Sequence, residues 1–298
     1  MTIDESYKDF LGKLNTSYEQ REATTIADWI FEDIANTPRL QRVTNKLAEI
    51  KPGIQQSIDK ALKLLLDHTP VQYVLGHAWF YKMRLKVNPN VLIPRPETEE
   101  LVSWILEDLG NNYSNRSSNE SPGVNSTPPG LHRVLDVGTG SGCIALALKK
   151  HLPWSSIMAI DVSAEALITA GENAKDQLLE IDFKKIDFLQ DEAGSLPGFN
   201  IIVSNPPYIS SAEKNNLARN VVDHEPHLAL FADKQDPLIF YKKIADFAET
   251  HLNNNGKIYV EIHEDYGAMI CRIFEDRKFK CTLRKDLYGR DRMIKSER

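Results

Sequence analysis

Two kinds of hydrophobic patterning divide the chain. Through residues 1–68 apolar positions recur at helical spacing: Ile26, Trp29, Ile30 and Ile34 share one stripe, and residues 54–66 repeat the pattern. That spacing predicts a small helical bundle. Residues 70–93 change character, because Tyr73-Val-Leu-Gly and Phe80 to Asn88 alternate partly, as a hairpin does. A helix is predicted to begin at Pro96 and Glu97, since proline and acids suit a first turn, with Leu101, Val102, Ile105 and Leu109 facing inward. From Arg133 onward short apolar runs alternate with amphipathic helices, the order of an α/β domain with a mostly parallel sheet. Strands are expected at 133–137, 156–160, 183–186, 199–203 and 257–262. A closing antiparallel pair is expected at 281–286 and 292–295, around Tyr288-Gly289. Residues 110–130 are rich in Asn, Ser, Pro and Gly, and are read as a flexible loop.

Composition narrows the function classes. At 298 residues, with 42% hydrophobic and 26% charged residues, the chain can build a large core and accommodates two domains. No apolar run approaches transmembrane length, and Met1-Thr-Ile-Asp-Glu lacks the basic and apolar regions of a signal peptide. No membrane association is expected. Cys143, Cys271 and Cys281 are few, odd in number and not at metal spacing, which suggests reduced thiols in a cytoplasm. Cys143, at the start of a helix, is read as a packing residue. The net charge of −6, with no dense Lys/Arg run, weighs against a stable nucleic-acid partner.

The candidate chemistry sits at strand ends. Asn205-Pro206-Pro207-Tyr208 follows the apolar run 199–203. Each proline fixes its own φ and restricts the residue before it, so Asn205 is held where open α/β sheets bind ligands. Its amide oxygen and the Pro206 carbonyl can accept hydrogen bonds from an NH2 group, while Tyr208 can lie flat against a planar one. Such a tetrapeptide also serves as a proline-rich turn with a capping Asn. The second motif runs from Asp136 through Gly138, Thr139, Gly140 and Gly142, and opens a helix. Its alternating glycines let the backbone approach a ligand closely. The spacing G-x-G-x-G differs from the dinucleotide fingerprint. Asp161 and Asp187 close the next two strands. Carboxylates at three successive strand ends suit a ligand with ribose hydroxyls, an amino group and a positive charge, such as S-adenosylmethionine. Asp223-His-Glu-Pro-His227 looks metal-like, but its proline breaks the shared helical face, and no metal site is expected.

Together the Asp-x-Gly-x-Gly-x-Gly turn, Asp161 and NPPY resemble an amino-methylating, S-adenosylmethionine-dependent methyltransferase. Pro70 to Gly76, Phe80, Val91 to Glu99, Glu225-Pro226 with Ala229-Leu230, and Asp286 to Met293 resemble the peptide-chain release factor glutamine methyltransferase family. Residues 110–130 stand as an insertion, and His263-Glu264 replaces a glycine frequent in that family. The resemblance implies a Rossmann-like fold with a mostly parallel seven-stranded sheet. It divides the chain into a substrate-recognising bundle (1–68), a linking hairpin (69–93) and a catalytic domain (94–298). It implies S-adenosylmethionine as cofactor, held by Asp136, Gly138, Thr139, Gly140, Gly142, Asp161, Asp187 and Asn205. Asn205, Pro206 and Tyr208 would be catalytic, with Pro207, Arg95 and Glu97 also meeting substrate. The expected substrate is the Gly-Gly-Gln glutamine of class I release factors, which links the chain to translation termination. Alternatives are an N6-adenine methyltransferase on DNA or RNA, a glutamine methyltransferase on a ribosomal protein, and a non-catalytic nucleotide-binding protein on the same fold.

Overall fold

The computed structural model describes residues 1–114, 132–190, 192–210, 213, 218–233 and 236–298. The chain divides into two compact units, one formed by Met1–His77 with 218–224 and the other by the rest. In the first, helices α1 (Ile3–Leu14), α2 (Gln20–Ile34), α4 (Pro52–Leu66) and α5 (Val71–Leu75) share one apolar core, to which the short α3 (Arg39–Thr44) adds no side chain. Thr2 starts α1 with a reciprocal capping box to Glu5, which satisfies two otherwise open N–H groups. The α2 stripe is rotated from its expected position. Ala23, Ile26, Ala27, Ile30 and Phe31 are buried while Trp29 is 45% exposed. The two alanines and Phe31 complete an apolar arc whose centre lies away from Trp29.

Residues 71–75 form a helix, where the alternation suggested part of a hairpin. Pro70 precedes the first turn, and Gly76 at φ 74° ends it in the left-handed region, a proline start and glycine stop. The hairpin is shorter, β1 (His77–Phe80) and β2 (Met83–Lys86). Helix α6 (Pro96–Ser114) buries Leu101, Val102, Ile105 and Leu109. It also continues through 110–114, the start of the expected loop; 115–130 lie outside the described residues.

The second unit is built on a seven-stranded sheet. From Arg133 the elements run β3 (Arg133–Val137), α7 (Cys143–His151), β4 (Ser156–Asp161), α8 (Ala164–Asp176), β5 (Asp182–Lys185), β6 (Phe199–Ser204), α9 (Arg219–His224), α10 (His227–Leu230), α11 (Ile239–His251), β7 (Leu252–Glu261), α12 (Gly267–Glu275), β8 (Lys280–Lys285) and β9 (Asp291–Glu297), all in the second unit except α9, which belongs to the first. Strand order is β5-β4-β3-β6-β7-β9-β8. The first five are parallel, and β9 runs antiparallel to both β7 and β8. Side chains alternate across the sheet. Val134, Ile157, Ile201 and Val203 enter one core, and Leu135, Ile160, Ile202 and Val260 enter the other. This is the Rossmann-like architecture expected.

Cys271 and Cys281 are joined by a disulfide, with Cα atoms 5.5 Å apart, where free thiols were expected. Packing of α12 against β8 brings together two positions ten residues apart. Cys143 is free. Among the described residues no helix is long and apolar enough to cross a membrane.

Candidate active site

Strand order reverses at the centre of the sheet. The chain runs β3, β4, β5 toward one edge and then returns to place β6 beside β3. The loops leaving β3 and β6 therefore diverge and open a crevice at their carboxyl ends. A cavity of about 450 Å³ lies there. Gly138, Thr139, Gly140, Asp161, Asp187, Arg95, Asn205, Pro206 and Pro207 all line it.

Its first wall is the turn after β3. Gly138, Gly140 and Gly142 have φ of 72°, 56° and 81°, which L-residues adopt only with strain. The N–H groups of Gly138 and Thr139 donate to Ile160 O at 2.9 and 3.0 Å, tying the turn to β4. Gly140 N–H donates to Asp161 Oδ2 at 2.8 Å, and Ser163 N–H to Asp161 Oδ1 at 2.9 Å. Each Asp161 oxygen keeps a lone pair for a hydroxyl. Burial raises the Asp161 pKa, and the Ser163 and Gly140 N–H bonds oppose that.

Asp136 and Gly142 do not line the cavity. Asp136 is wholly buried beneath the turn, where Oδ2 accepts from the Thr139 hydroxyl at 2.6 Å and from Ala145 N–H at 3.2 Å. Burial pushes its carboxyl up to about 7. Gly142 lets α7 approach α8, since a Cβ there would meet Ala170 Cβ at 3.2 Å. Cys143 lines the cavity, and burial pushes its thiol up to about 12, which fits a packing role.

The opposite wall follows β6. Asn205 Nδ2 donates to Thr98 Oγ1 at 3.1 Å, and Thr98 Oγ1 donates to Glu261 Oε2 at 2.6 Å. Tyr208 is not part of the lining; its hydroxyl donates to Glu261 Oε1 at 3.1 Å. Its ring meets His263 at 6.1 Å between centroids. Arg95 donates to Glu225 Oε1 at 2.5 Å, and Ile93 N–H donates to Glu225 Oε2 at 3.3 Å. Since the Glu225 side chain is 1% exposed, Arg95 is the partner of a buried acid and not a loose surface charge. Glu97 does not line the cavity.

Thr98 lies within the Val91 to Glu99 segment but was not singled out there, and Glu261 lies in no such motif. The signal for Glu261 was nonetheless present, as an acid closing the apolar run Ile258 to Val260, the same pattern that marks Asp161.

The residues present fit S-adenosylmethionine. The twin-lone-pair carboxylate of Asp161 suits a ribose, the glycine turn offers close backbone approach, and buried Asp136 Oδ1 has no partner among the described residues, an acceptor suited to a cationic group or water.

The family model for the methyltransferase small domain matches residues 125–229, and that for the PrmC N-terminal domain matches residues 8–76. The chain is 38% identical to the release factor glutamine methyltransferase of Flavobacterium psychrophilum, over 99% of each chain. It is 44% identical to that of Streptococcus pneumoniae, over 80% of this chain and 79% of the relative. Among solved structures, the hMettl16 catalytic domain in complex with MAT2A 3'UTR hairpin 1 has a TM-score of 0.55 at 14% identity, covering 92% of this chain and 90% of that one, a similarity of fold alone. Identity of this order over almost the full length of both chains means that the chain belongs to the release factor glutamine methyltransferase family.

Proposed function

We propose that this enzyme methylates the side-chain amide nitrogen of the glutamine in the Gly-Gly-Gln loop of class I release factors, in the cytoplasm. The observation that carries the reading is the placement of Asn205 and Pro206 in the cavity wall facing the glycine turn. Bound S-adenosylmethionine supplies a methyl group on a cationic sulfur, an electrophile that needs no further activation. What the protein must supply is an oriented nucleophile, because an amide nitrogen shares its lone pair with its carbonyl.

Asn205 Oδ1 and the Pro206 carbonyl accept the two N–H groups of the glutamine amide. They hold its nitrogen toward the cofactor and stabilise the positive charge that grows on it. No strong base is required, since the extra proton becomes acidic once the nitrogen is alkylated and passes to water. Asp161 binds ribose hydroxyls, with Asp187 beside it. Asp136 acts from below, holding Thr139 and the start of α7 in place. The Arg95–Glu225 pair fixes the rim that the substrate crosses.

We assign recognition of the protein substrate to the helical unit. Exposed Leu40, Val43 and Leu47, at 76%, 56% and 86%, provide apolar side chains that its own core does not use.

The test is methyl transfer from labelled S-adenosylmethionine to a purified class I release factor, beside the same factor with its Gly-Gly-Gln glutamine changed to alanine. Label in the first alone supports the reading. Label in both, or in neither while cofactor still binds, overturns it and directs the search to ribosomal protein and then nucleic acid.

A further inference from the structure

We infer that Glu261, which lines neither the cofactor wall nor the substrate wall, decides which end of the Asn205 amide faces the cavity, and that it does so through Thr98. The inference rests on the proposed role of Asn205 as an acceptor for the substrate N–H.

Glu261 ends β7 and is 1% exposed. Its Oε2 accepts from Thr98 Oγ1 at 2.6 Å and its Oε1 from the Tyr208 hydroxyl at 3.1 Å. An ionised carboxylate has no hydrogen to give, so the single hydrogen of the Thr98 hydroxyl is committed to it. Thr98 Oγ1 then offers only lone pairs to Asn205, 3.1 Å away. The NH2 end of the amide can meet them. The carbonyl end would set two acceptors against each other. Nδ2 is thereby turned toward Thr98, and Oδ1 is left to accept from an incoming N–H group. Tyr208 contributes by occupying the other oxygen of Glu261.

The charge of Glu261 is the variable in this chain of bonds. Burial pushes its carboxyl up to about 7, opposed by the Thr98 and Tyr208 hydroxyls and by Arg292, and reinforced by Glu97. Arg292, on β9, is itself held by Asp286 at 3.3 Å and by Ile262 O at 3.3 Å. Tyr241, on α11, donates to the Glu261 backbone carbonyl at 3.0 Å. Arg95, Tyr266 and the Cys143 thiol also act on this cluster through charge, and the His263 ring packs against Tyr208 and Tyr266, at 6.1 and 5.3 Å between centroids. A protonated Glu261 carries a hydrogen of its own. Thr98 is then free to donate to Asn205, and the amide loses its enforced sense.

The experiment uses the full-length enzyme and three variants, Glu261→Gln, Thr98→Val and Thr98→Ser. Two readouts are taken: the single-turnover rate on release factor, with S-adenosylmethionine affinity by calorimetry, and the Asn205 side-chain 1H–15N pair, identified by its loss in Asn205→Ala. Removing a fixed hydrogen bond should lower the rate about tenfold in Glu261→Gln and Thr98→Val, Thr98→Ser should restore most of that loss, and cofactor affinity should stay within about twofold. The Asn205 pair should shift in Glu261→Gln, although Asn205 is bonded to Thr98 and only through it to residue 261, and in the wild type it should titrate near the pKa of Glu261. An unmoved Asn205 pair in Glu261→Gln overturns the inference, whatever the rate does. So does a Thr98→Ser enzyme as slow as Thr98→Val, which would make the threonine a packing residue. If wild-type enzyme leaves the release factor unlabelled, the proposed substrate is wrong, and the Asn205 signals still decide the orientation.

Discussion

On the glycine-turn side of the cavity, the carboxylate is held by backbone: Asp161 takes N–H groups from Gly140 and Ser163. On the Asn205 side the hold is a relay of side chains, from Asn205 to Thr98 to Glu261, with Tyr208 closing it. Backbone donors cannot change protonation or rotamer, so the first wall presents one fixed surface to a ligand. A side-chain relay can be rewired by one proton or one methyl group. The cofactor wall is therefore rigid by construction, and the reactivity of the other wall depends on the ionisation of an acid it hides.

The sharpest way to break the contrast is to remove its reacting end. Asn205→Ala is expected to lower single-turnover methylation by about two orders of magnitude, as loss of a preorganised hydrogen-bond partner does, while calorimetric S-adenosylmethionine affinity stays near wild type. Asp161→Ala should do the reverse, weakening cofactor binding by about tenfold or more through lost charge-assisted hydrogen bonds. Equal damage to both quantities in either variant would dissolve the distinction between the walls.

Glu261→Gln addresses the buried charge through stability. The folded carboxyl sits near 7 against 4.5 for a free glutamate, so the folded chain binds its proton more tightly than the unfolded chain. Stability from that proton is present below about pH 4.5 and is lost as pH rises through about 7. Denaturant titrations should show the variant gaining on wild type across this window, by about 3 kcal/mol at pH 8. A difference independent of pH would mean that Glu261 does not titrate there. The smallest effect belongs to the turn. Gly142→Ala forces φ of 81° on an alanine whose Cβ meets Ala170 Cβ at 3.2 Å, and should cost about 1 kcal/mol in the same titration.

The backbone-built wall was the more legible one in sequence. Glycines at 138, 140 and 142 announce positive φ, and Asp161 closes an apolar run, so local chemistry indicates the turn and its acceptor. Asn205 was equally plain, fixed between a strand and two prolines. The relay behind it was not, because its members come from α6, the loop after β6 and the end of β7, with Thr98 and Glu261 separated by 163 positions. Nothing local ties such residues together; the sheet order does. The same reason accounts for Tyr208, which local reading turned toward a ligand and the fold turns toward Glu261. Trp29 and the helix at 71–75 differed for a smaller cause, since small residues shift an apolar arc and a proline-to-glycine span favours a turn of helix over a strand.

The pairing of β3 with β6 sets Val137 opposite Ser204, and the Ser204 hydroxyl donates to Val137 O at 2.8 Å, directly beneath the two loops. Adjacent strands lie about 4.8 Å apart in every sheet. In the proposed reaction the spacing between donor and acceptor of the methyl group is thus measured out by a ruler that belongs to the fold and not to the substrate. Whatever surfaces outside this pair of strands come to select a different protein, the ruler needs no recalibration.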